Sequence, residues 1–386
     1  MADSSKQMAF AFDEPIQMVD LRTQYKRLKN EIDEAIQEVL NAGAYINGPQ
    51  VKKFADQLAG YLDVAHVIPC ANGTDAIQIA LMALNLQPGE EVIVPSFSYV
   101  AAAEAVAMLG LKPVLVDIDP QTFNIDVSKI EQAISIQTKA IIPVHLFGQV
   151  CDMDPIMRIA EKYNLYVIED NAQSIGAYYS TNTEKQSAGT IGHIGTTSFF
   201  PSKPLACYGD GGALMTNDDT LAQKIRMIAN HGQEKKYYNK LIGCNSRLDT
   251  MQAAILNVKI KYIDTFTKAR IAVAKRYNFG FKFQSNITIP HQAPYSTHIY
   301  HQYTIRVKNG KRDALQAYLK QKGIPSIIYY PLSIDSQEAF RVPARKAGPL
   351  NVSKKTADSV LSLPIHSEMN PDMQDYIIHH VQRFFR

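Results

Sequence analysis

Short apolar runs punctuate the first half of the chain. Val92-Ile93-Val94, Val114-Leu115-Val116, Ile141-Ile142-Pro143-Val144 and Tyr166-Val167-Ile168 are continuous rather than alternating, the pattern of strands buried on both faces. Helical spacing fills the gaps between them. From Thr74 to Leu86 the apolar residues Ala76, Ile77, Ala80, Leu81 and Leu84 fall on one face, and Val100 to Leu109 and Pro155 to Tyr163 read the same way. Strand–helix alternation of this kind predicts a mainly parallel α/β sheet with helices on both sides.

The pattern changes near Ser198. Ser198-Phe199-Phe200 and Ala213-Leu214-Met215-Thr216 read as strands joined through a glycine-rich turn, and a long helical stretch follows from Thr250 to about Phe279. After Pro290 the order is strand (His301 to Val307), helix (Arg312 to Gln321), strand (Pro325 to Tyr330) and two further helices. This predicts a smaller C-terminal α+β domain, with a boundary near Asn278–Pro290. A chain of 386 residues suggests two or three domains.

Composition narrows the function classes. Hydrophobic residues make up 46% and charged residues 20%, ordinary for a soluble globular protein. The formal net charge is only +3. There is no dense basic stripe, which argues against nucleic acid. Cys70, Cys151, Cys207 and Cys244 are scattered, with no CxxC spacing and no paired histidines nearby. They read as isolated reduced thiols rather than a disulfide framework or metal site. Met1 to Pro15 carries no apolar leader. The longest apolar stretch, Val100 to Val116, is broken by Glu104, Lys112 and Pro113, so no membrane span and a cytoplasmic location are expected.

Ligands of open α/β sheets bind beyond the carboxyl ends of the strands, and polar groups gather there. Asn72-Gly73-Thr74-Asp75 opens the first clear helix. Such a start can bind a phosphate through free N–H groups, or simply cap the helix. Asp170 ends a buried strand within Glu169-Asp170-Asn171-Ala172-Gln173. It could pair with a protonated ring nitrogen or form a turn. Lys203 lies in an apolar turn just before Gly209-Asp210-Gly211-Gly212. It could have a lowered pKa and act as a nucleophile, or it could be a solvated surface lysine.

The combination and order of these runs resemble the DegT/StrS family of nucleotide-sugar aminotransferases, within the fold-type-I pyridoxal-phosphate (PLP) enzymes. The resemblance rests on Asn72-Gly-Thr-Asp-Ala, Glu169-Asp-Asn-Ala-Gln, Ser198-Phe-Phe-Pro-Ser-Lys203 and Gly209-Asp-Gly-Gly-Ala. Gly243-Cys-Asn245-Ser-Arg247-Leu-Asp-Thr-Met-Gln-Ala-Ala, Ile46-Asn-Gly-Pro and Tyr329-Tyr-Pro extend it. It implies a mainly parallel seven-stranded sheet sandwiched by helices. It also implies an N-terminal arm (1–30) against the small domain, a large PLP-binding domain (31–278) and a small α+β domain (279–386). Lys203 would hold PLP as a Schiff base and shuttle the proton. Asp170 would face the pyridine nitrogen, Gln173 the ring hydroxyl and Tyr99 the ring face. Gly73, Thr74, Asp75 and Ser198 would form the phosphate site. Asn245 would reach the phosphate of the neighbouring subunit in a homodimer with shared sites.

The same resemblance implies glutamate (leaving 2-oxoglutarate) as amino donor, pyridoxamine phosphate as the intermediate form of the cofactor, and a nucleotide-linked keto sugar as acceptor. Arg247-Leu-Asp-Thr, His231-Gly-Gln and Tyr300-His301-Gln-Tyr are most similar to enzymes aminating C3. The acceptor would then be a UDP-3-keto uronic acid or a TDP-3-keto-6-deoxyhexose destined for cell-surface polysaccharide; C4 amination is the alternative. Arg247, His301 and Tyr329 are the candidate sugar contacts. The chain departs from the family pattern at Asn171, Pro204 and Asp335. Related dehydratases carry histidine in place of the lysine, which Lys203 argues against. A dehydrogenase would need a GxGxxG turn after an early strand, and Gly189, Gly192 and Gly195 are spaced differently and late. A non-catalytic PLP-binding regulator would carry an added nucleic-acid module, for which the chain has no spare segment.

Overall fold

The computed structural model describes residues 12, 14–180 and 184–386; the readings made above on residues 1–11 and 13 lie outside these. Three of the four apolar runs, at 92–94, 114–116 and 166–168, lie in strands whose successive side chains enter opposite cores, whereas the run at 141–144 begins where its strand, Thr138–Ile141, ends. Val92, Val94, Leu115 and Ile168 face one layer of helices, while Ile93, Val114, Val116 and Val167 face the other. The helices Gly73–Ala83, Ala101–Met108 and Asp219–Ala229 cover the first face. Met153–Tyr163 covers part of the second, and Pro49–Leu62 packs with Thr250–Lys259 over the rest.

Seven strands of the large sheet precede residue 217: β1 (His66–Cys70), β2 (Glu91–Pro95), β3 (Lys112–Val116), β4 (Thr138–Ile141), β5 (Tyr166–Asp170), β6 (Ile194–Ser198) and β7 (Gly212–Thr216). Their spatial order is β1-β7-β6-β5-β4-β2-β3. β2 to β6 run parallel, whereas β7 is antiparallel to both β6 and β1. Beyond β3 a two-residue strand, Arg345–Lys346, adds an eighth, parallel member. Nothing in its local pattern marks it as a strand. Arg345 is drawn there by a bidentate bond to Glu91, at 2.9 Å to each carboxylate oxygen.

The predicted long helix is two helices, Thr250–Lys259 and Ile263–Phe281, joined by a 3-10 turn at Ile260–Tyr262. The second continues past residue 278, and its Val273, Ala274, Tyr277 and Phe281 belong to the C-terminal core. That core packs the antiparallel strands Ile287–Thr288, Tyr303–Val307 and Val360–Leu363 against the helices Arg312–Gln321 and Pro371–Phe384. The Tyr277 hydroxyl donates to Pro364 O at 2.9 Å, so this large buried side chain leaves no polar atom unpaired. We retain the division at 278/279 as a proposal. Ahead of the 22-residue helix Leu21–Ala42, Ile16 also enters the C-terminal core.

The strand expected at Pro325 to Tyr330 is not formed. Ile327 alone pairs with Ser362, after which the chain turns away and presents Tyr329 and Tyr330 to the sheet edge. The segment that follows is stitched to the large sheet. Ile334 N–H donates to Ser96 O at 2.8 Å. Asp117, just after β3, accepts from the N–H groups of Val352 and Ser353 and from the Ser353 hydroxyl, at 2.9, 2.8 and 2.6 Å. It thereby caps the helix Asn351–Ser359 from outside. Burial works to raise the Asp117 pKa, but the Ser353 hydroxyl and backbone N–H donors hold it below the usual carboxylate range.

Asp117→Ala removes several charge-assisted bonds and strands buried donors. It should lower the unfolding free energy at neutral pH by about 3 kcal/mol, read by urea denaturation. Because the folded pKa is depressed, this contribution is present above the unfolded value and lost as pH falls through the folded one. The gap between wild type and variant should therefore narrow in acid.

Candidate active site

A cavity of about 650 Å³ opens where the carboxyl ends of the central strands meet the C-terminal domain. Asp170 ends β5 and Ser198 ends β6, while Tyr99 follows β2 and Val144 follows β4. Gly73 and Thr74 enter from the start of the helix Gly73–Ala83, Lys203 from the turn after β6, His301 from just ahead of the strand Tyr303–Val307, and Tyr329 from the segment after the Ile327–Ser362 bridge.

The floor is fixed by a buried polar network. Glu169, fully buried, accepts from Gly189, Ile191 and Gly192 N–H at 2.9, 2.6 and 2.6 Å. Its remaining partner is His145 Nε2 at 2.8 Å. His145 Nδ1 accepts from Cys151 N–H, so Nε2 must be the donor to Glu169. The His145 N–H in turn donates to Asp170 O at 3.0 Å. Asp170 is thus held by its backbone, with its carboxylate left facing the cavity.

Lys203 and Asp170 are set against each other in this low-dielectric space. Burial lowers the Lys203 pKa, and the charge of Asp170 opposes it. Burial raises the Asp170 pKa, opposed by the Ala172 N–H and the charge of Lys203. Among the described residues Lys203 makes no ion pair. His301 is buried, its Nδ1 has no partner, and burial drives its pKa well below the ordinary value, aided by Lys203 and Arg270. It is a neutral imidazole facing the cavity.

The helix start is built for close approach. Asn72 Oδ1 accepts from Asp75 N–H at 2.8 Å, which caps the helix and leaves the preceding Gly73 and Thr74 N–H groups outside that bond. A Cβ on Gly73 would lie 2.8 Å from Ser198 Cβ, so only glycine lets β6 and the helix share one wall. Asp75 does not line the cavity: its carboxylate takes the Ser246 hydroxyl at 2.7 Å and ties that segment to the helix.

Two more predicted residues lie elsewhere. Arg247 lines a separate hollow of about 410 Å³ with Arg226 and Asn230, and its Nη2 donates to Asn230 Oδ1 at 2.9 Å. Asn245 is exposed, bridged to Asn230. The three departures from the family pattern also point away from the cavity. Asn171 donates to Ala188 O, Pro204 is buried, and Asp335 pairs with Lys346 and Lys354 at 3.0 and 3.5 Å. Sequence reasoning missed Phe200, Ser202, Asp210, Gln302 and Tyr330, all of which line the cavity. Their adjacency to Ser198, Lys203, Gly209, His301 and Tyr329 was the available signal.

Residues 26–382 match the model of the DegT/DnrJ/EryC1/StrS aminotransferase family. The chain belongs to that family. It is 49% identical over 351 residues to UDP-2-acetamido-2-deoxy-3-oxo-D-glucuronate aminotransferase of Pseudomonas aeruginosa, covering 91% of this chain and 95% of the relative. It is 41% identical over 360 residues to UDP-N-acetyl-3-dehydro-alpha-D-glucosamine 3-aminotransferase of Acidithiobacillus ferrooxidans, covering 92% and 94%. The structure of NtdA from Bacillus subtilis with bound cofactor PMP superimposes with a TM-score of 0.86 at 31% identity, covering 99% of this chain and 86% of that one.

The family's cofactor, PLP, fits the residues present. An amine of lowered pKa, a carboxylate for a ring nitrogen and a glycine wall for a phosphate share one cavity of sufficient volume. Gly73→Ala should weaken PLP binding about tenfold in equilibrium dialysis, by crowding Ser198. Gly60→Ala is the control: the site lies within the helix Pro49–Leu62, a Cβ there meets nothing within 4 Å, and stability should rise by about 0.5–1 kcal/mol.

Proposed function

We propose that this protein transfers an amino group from glutamate to C3 of a nucleotide-linked 3-keto sugar, with PLP as cofactor. The observation that carries the reading is the meeting of Lys203 and Asp170 in one cavity at the strand ends, in a chain of an aminotransferase family. Both curated relatives carry names that put the reaction at position 3 of a UDP-linked sugar. That supports a UDP-3-keto uronic acid or a close analogue as acceptor, with a TDP-3-keto-6-deoxyhexose as the other C3 class, and a role in making cell-surface polysaccharide.

PLP, when bound, supplies an aldehyde that accepts an amine and a ring that withdraws electrons from the reacting carbon. The chain supplies the rest. Gly73, Thr74 and Ser198 hold the phosphate by N–H and hydroxyl donors at a helix start. Asp170 holds a proton on the ring nitrogen. Tyr99 would cover the ring face, and Gln173 would meet the ring hydroxyl. Lys203 would hold the cofactor through its amine and would move the proton at the carbon that gains or loses nitrogen. Its burial lowers the pKa of the amine, against the charge of Asp170, and so favours its neutral, basic form. His301 and Tyr329 meet the sugar; a neutral imidazole can accept from a sugar hydroxyl without paying for its own charge.

The working unit is proposed to be a homodimer. Asn245 is exposed and is not among the residues lining its own cavity, and it follows a segment with Tyr237, Tyr238 and Ile242 also exposed. Those positions suit Asn245 and Arg247 for contacts to the partner's ligand. No helix among the described residues is long and apolar enough to cross a membrane, and the proposed site of action is the cytoplasm, where nucleotide sugars and glutamate meet.

The purified protein with PLP should be yellow and should bleach on adding glutamate. Lys203→Ala should abolish the bleaching and lower turnover at least about 10³-fold. A panel of UDP- and TDP-linked 3-keto and 4-keto sugars, followed by mass spectrometry of the amino sugar, identifies the acceptor. Turnover confined to 4-keto sugars would overturn the C3 assignment.

A further inference from the structure

Tyr330 lines the cavity beside Asp170 and Gln173, and its hydrogen bonds have a fixed direction. The Phe147 N–H can only donate, and it points at Gln173 Oε1 at 2.8 Å. This settles which end of the Gln173 amide is oxygen. The amide nitrogen therefore faces Tyr330, and Gln173 Nε2 donates to Tyr330 Oη at 3.2 Å. A phenol carries one hydrogen and can accept as well as donate. Its accepting side is used by Gln173, and no acceptor for its hydrogen is found among the described residues.

The rest of the ring is locked. Phe97 meets it edge-on at 5.9 Å and Tyr99 lies tilted at 6.2 Å. Burial raises the pKa of the phenol, so it remains protonated and a donor. Gln173 Nε2 keeps one further hydrogen. Two donors, the Tyr330 hydroxyl and the second Gln173 N–H, are thus placed side by side with free hydrogens at one edge of the cavity. A pair of convergent donors suits an anionic oxygen. Tyr99, Asp170, Lys203, Asp210, His301 and Tyr329 are the other titratable groups lining the space. None of these is paired with the Tyr330 hydroxyl.

We infer that Tyr330 donates a hydrogen bond to the phenolate oxygen of the cofactor ring, acting with Gln173 as a two-donor clamp. The inference rests on the reading that PLP occupies this cavity with its hydroxyl edge at Gln173. The clamp lowers the basicity of that oxygen and of the nitrogen that shares its proton, because hydrogen bonds to a charged form favour it. Each donor arrives by a rigid route: Gln173 through Phe147 N–H, and Tyr330 through Gln173.

Tyr330→Phe keeps the ring and removes only the hydroxyl. In the holoenzyme without substrate, the absorbance of the lysine-bound cofactor should titrate about one pH unit higher than in wild type. Equilibrium dialysis should show PLP bound about tenfold more weakly. With 3-deoxypyridoxal phosphate, which lacks the oxygen, wild type and variant should bind equally. An unchanged titration, or the same loss of affinity for both cofactors, would overturn the inference. Should the variant not fold, the wild type decides: affinities for the two cofactors within twofold overturn the clamp, and a preference of tenfold or more for PLP supports it. A wild type that takes up no PLP at all would instead sink the reading of the site.

Discussion

Everything in this protein turns on keeping one ammonium and one carboxylate out of bulk water without letting them neutralise each other. In water Lys203 and Asp170 would be an ordinary base and an ordinary acid. Burial pushes their pKa values toward one another, and groups matched in this way exchange protons more easily. The network below secures this. Glu169 meets its charge with three backbone donors and His145, so it does not compete for Lys203. The charge of Asp170 is left facing the cavity.

Much of this was legible in the chain. The continuous apolar runs of β2 to β5 could only be buried strands, and their carboxyl ends announced where polar residues should meet. Gly73, Asp170, Gln173, Ser198 and Lys203 were each ambiguous alone, but their order along the chain was not. What was illegible depended on partners distant in sequence. The strand at Arg345–Lys346 exists because Arg345 finds Glu91, 254 residues away. No periodicity encodes that. Pro325 to Tyr330 has the composition of a strand, but only Ile327 finds a neighbour to pair with.

The residues that fell outside the cavity are equally instructive. Asp75 sits in the phosphate motif, yet a carboxylate beside a bound phosphate would repel it; the structure turns it outward onto Ser246. Asn245 is exposed and bridged to Asn230, and Arg247 lines a different hollow of the same chain. Asp335 breaks the family pattern at a place that suggested the sugar, but its charge is spent on Lys346 and Lys354. A sequence locates such residues near a site without saying which way they face.

The stitching of residues 334–353 to the large sheet reaches beyond stability. The wall carrying Tyr329 and Tyr330 hangs from Ser96, Glu91 and Asp117, all anchors outside the cavity. The exposed rings of Tyr99 and Phe200 line the same cavity without taking part in these anchoring bonds. Cohesion and selectivity are thereby assigned to separate side chains. A scaffold divided in this way can exchange one carbohydrate for another without renegotiating how it folds.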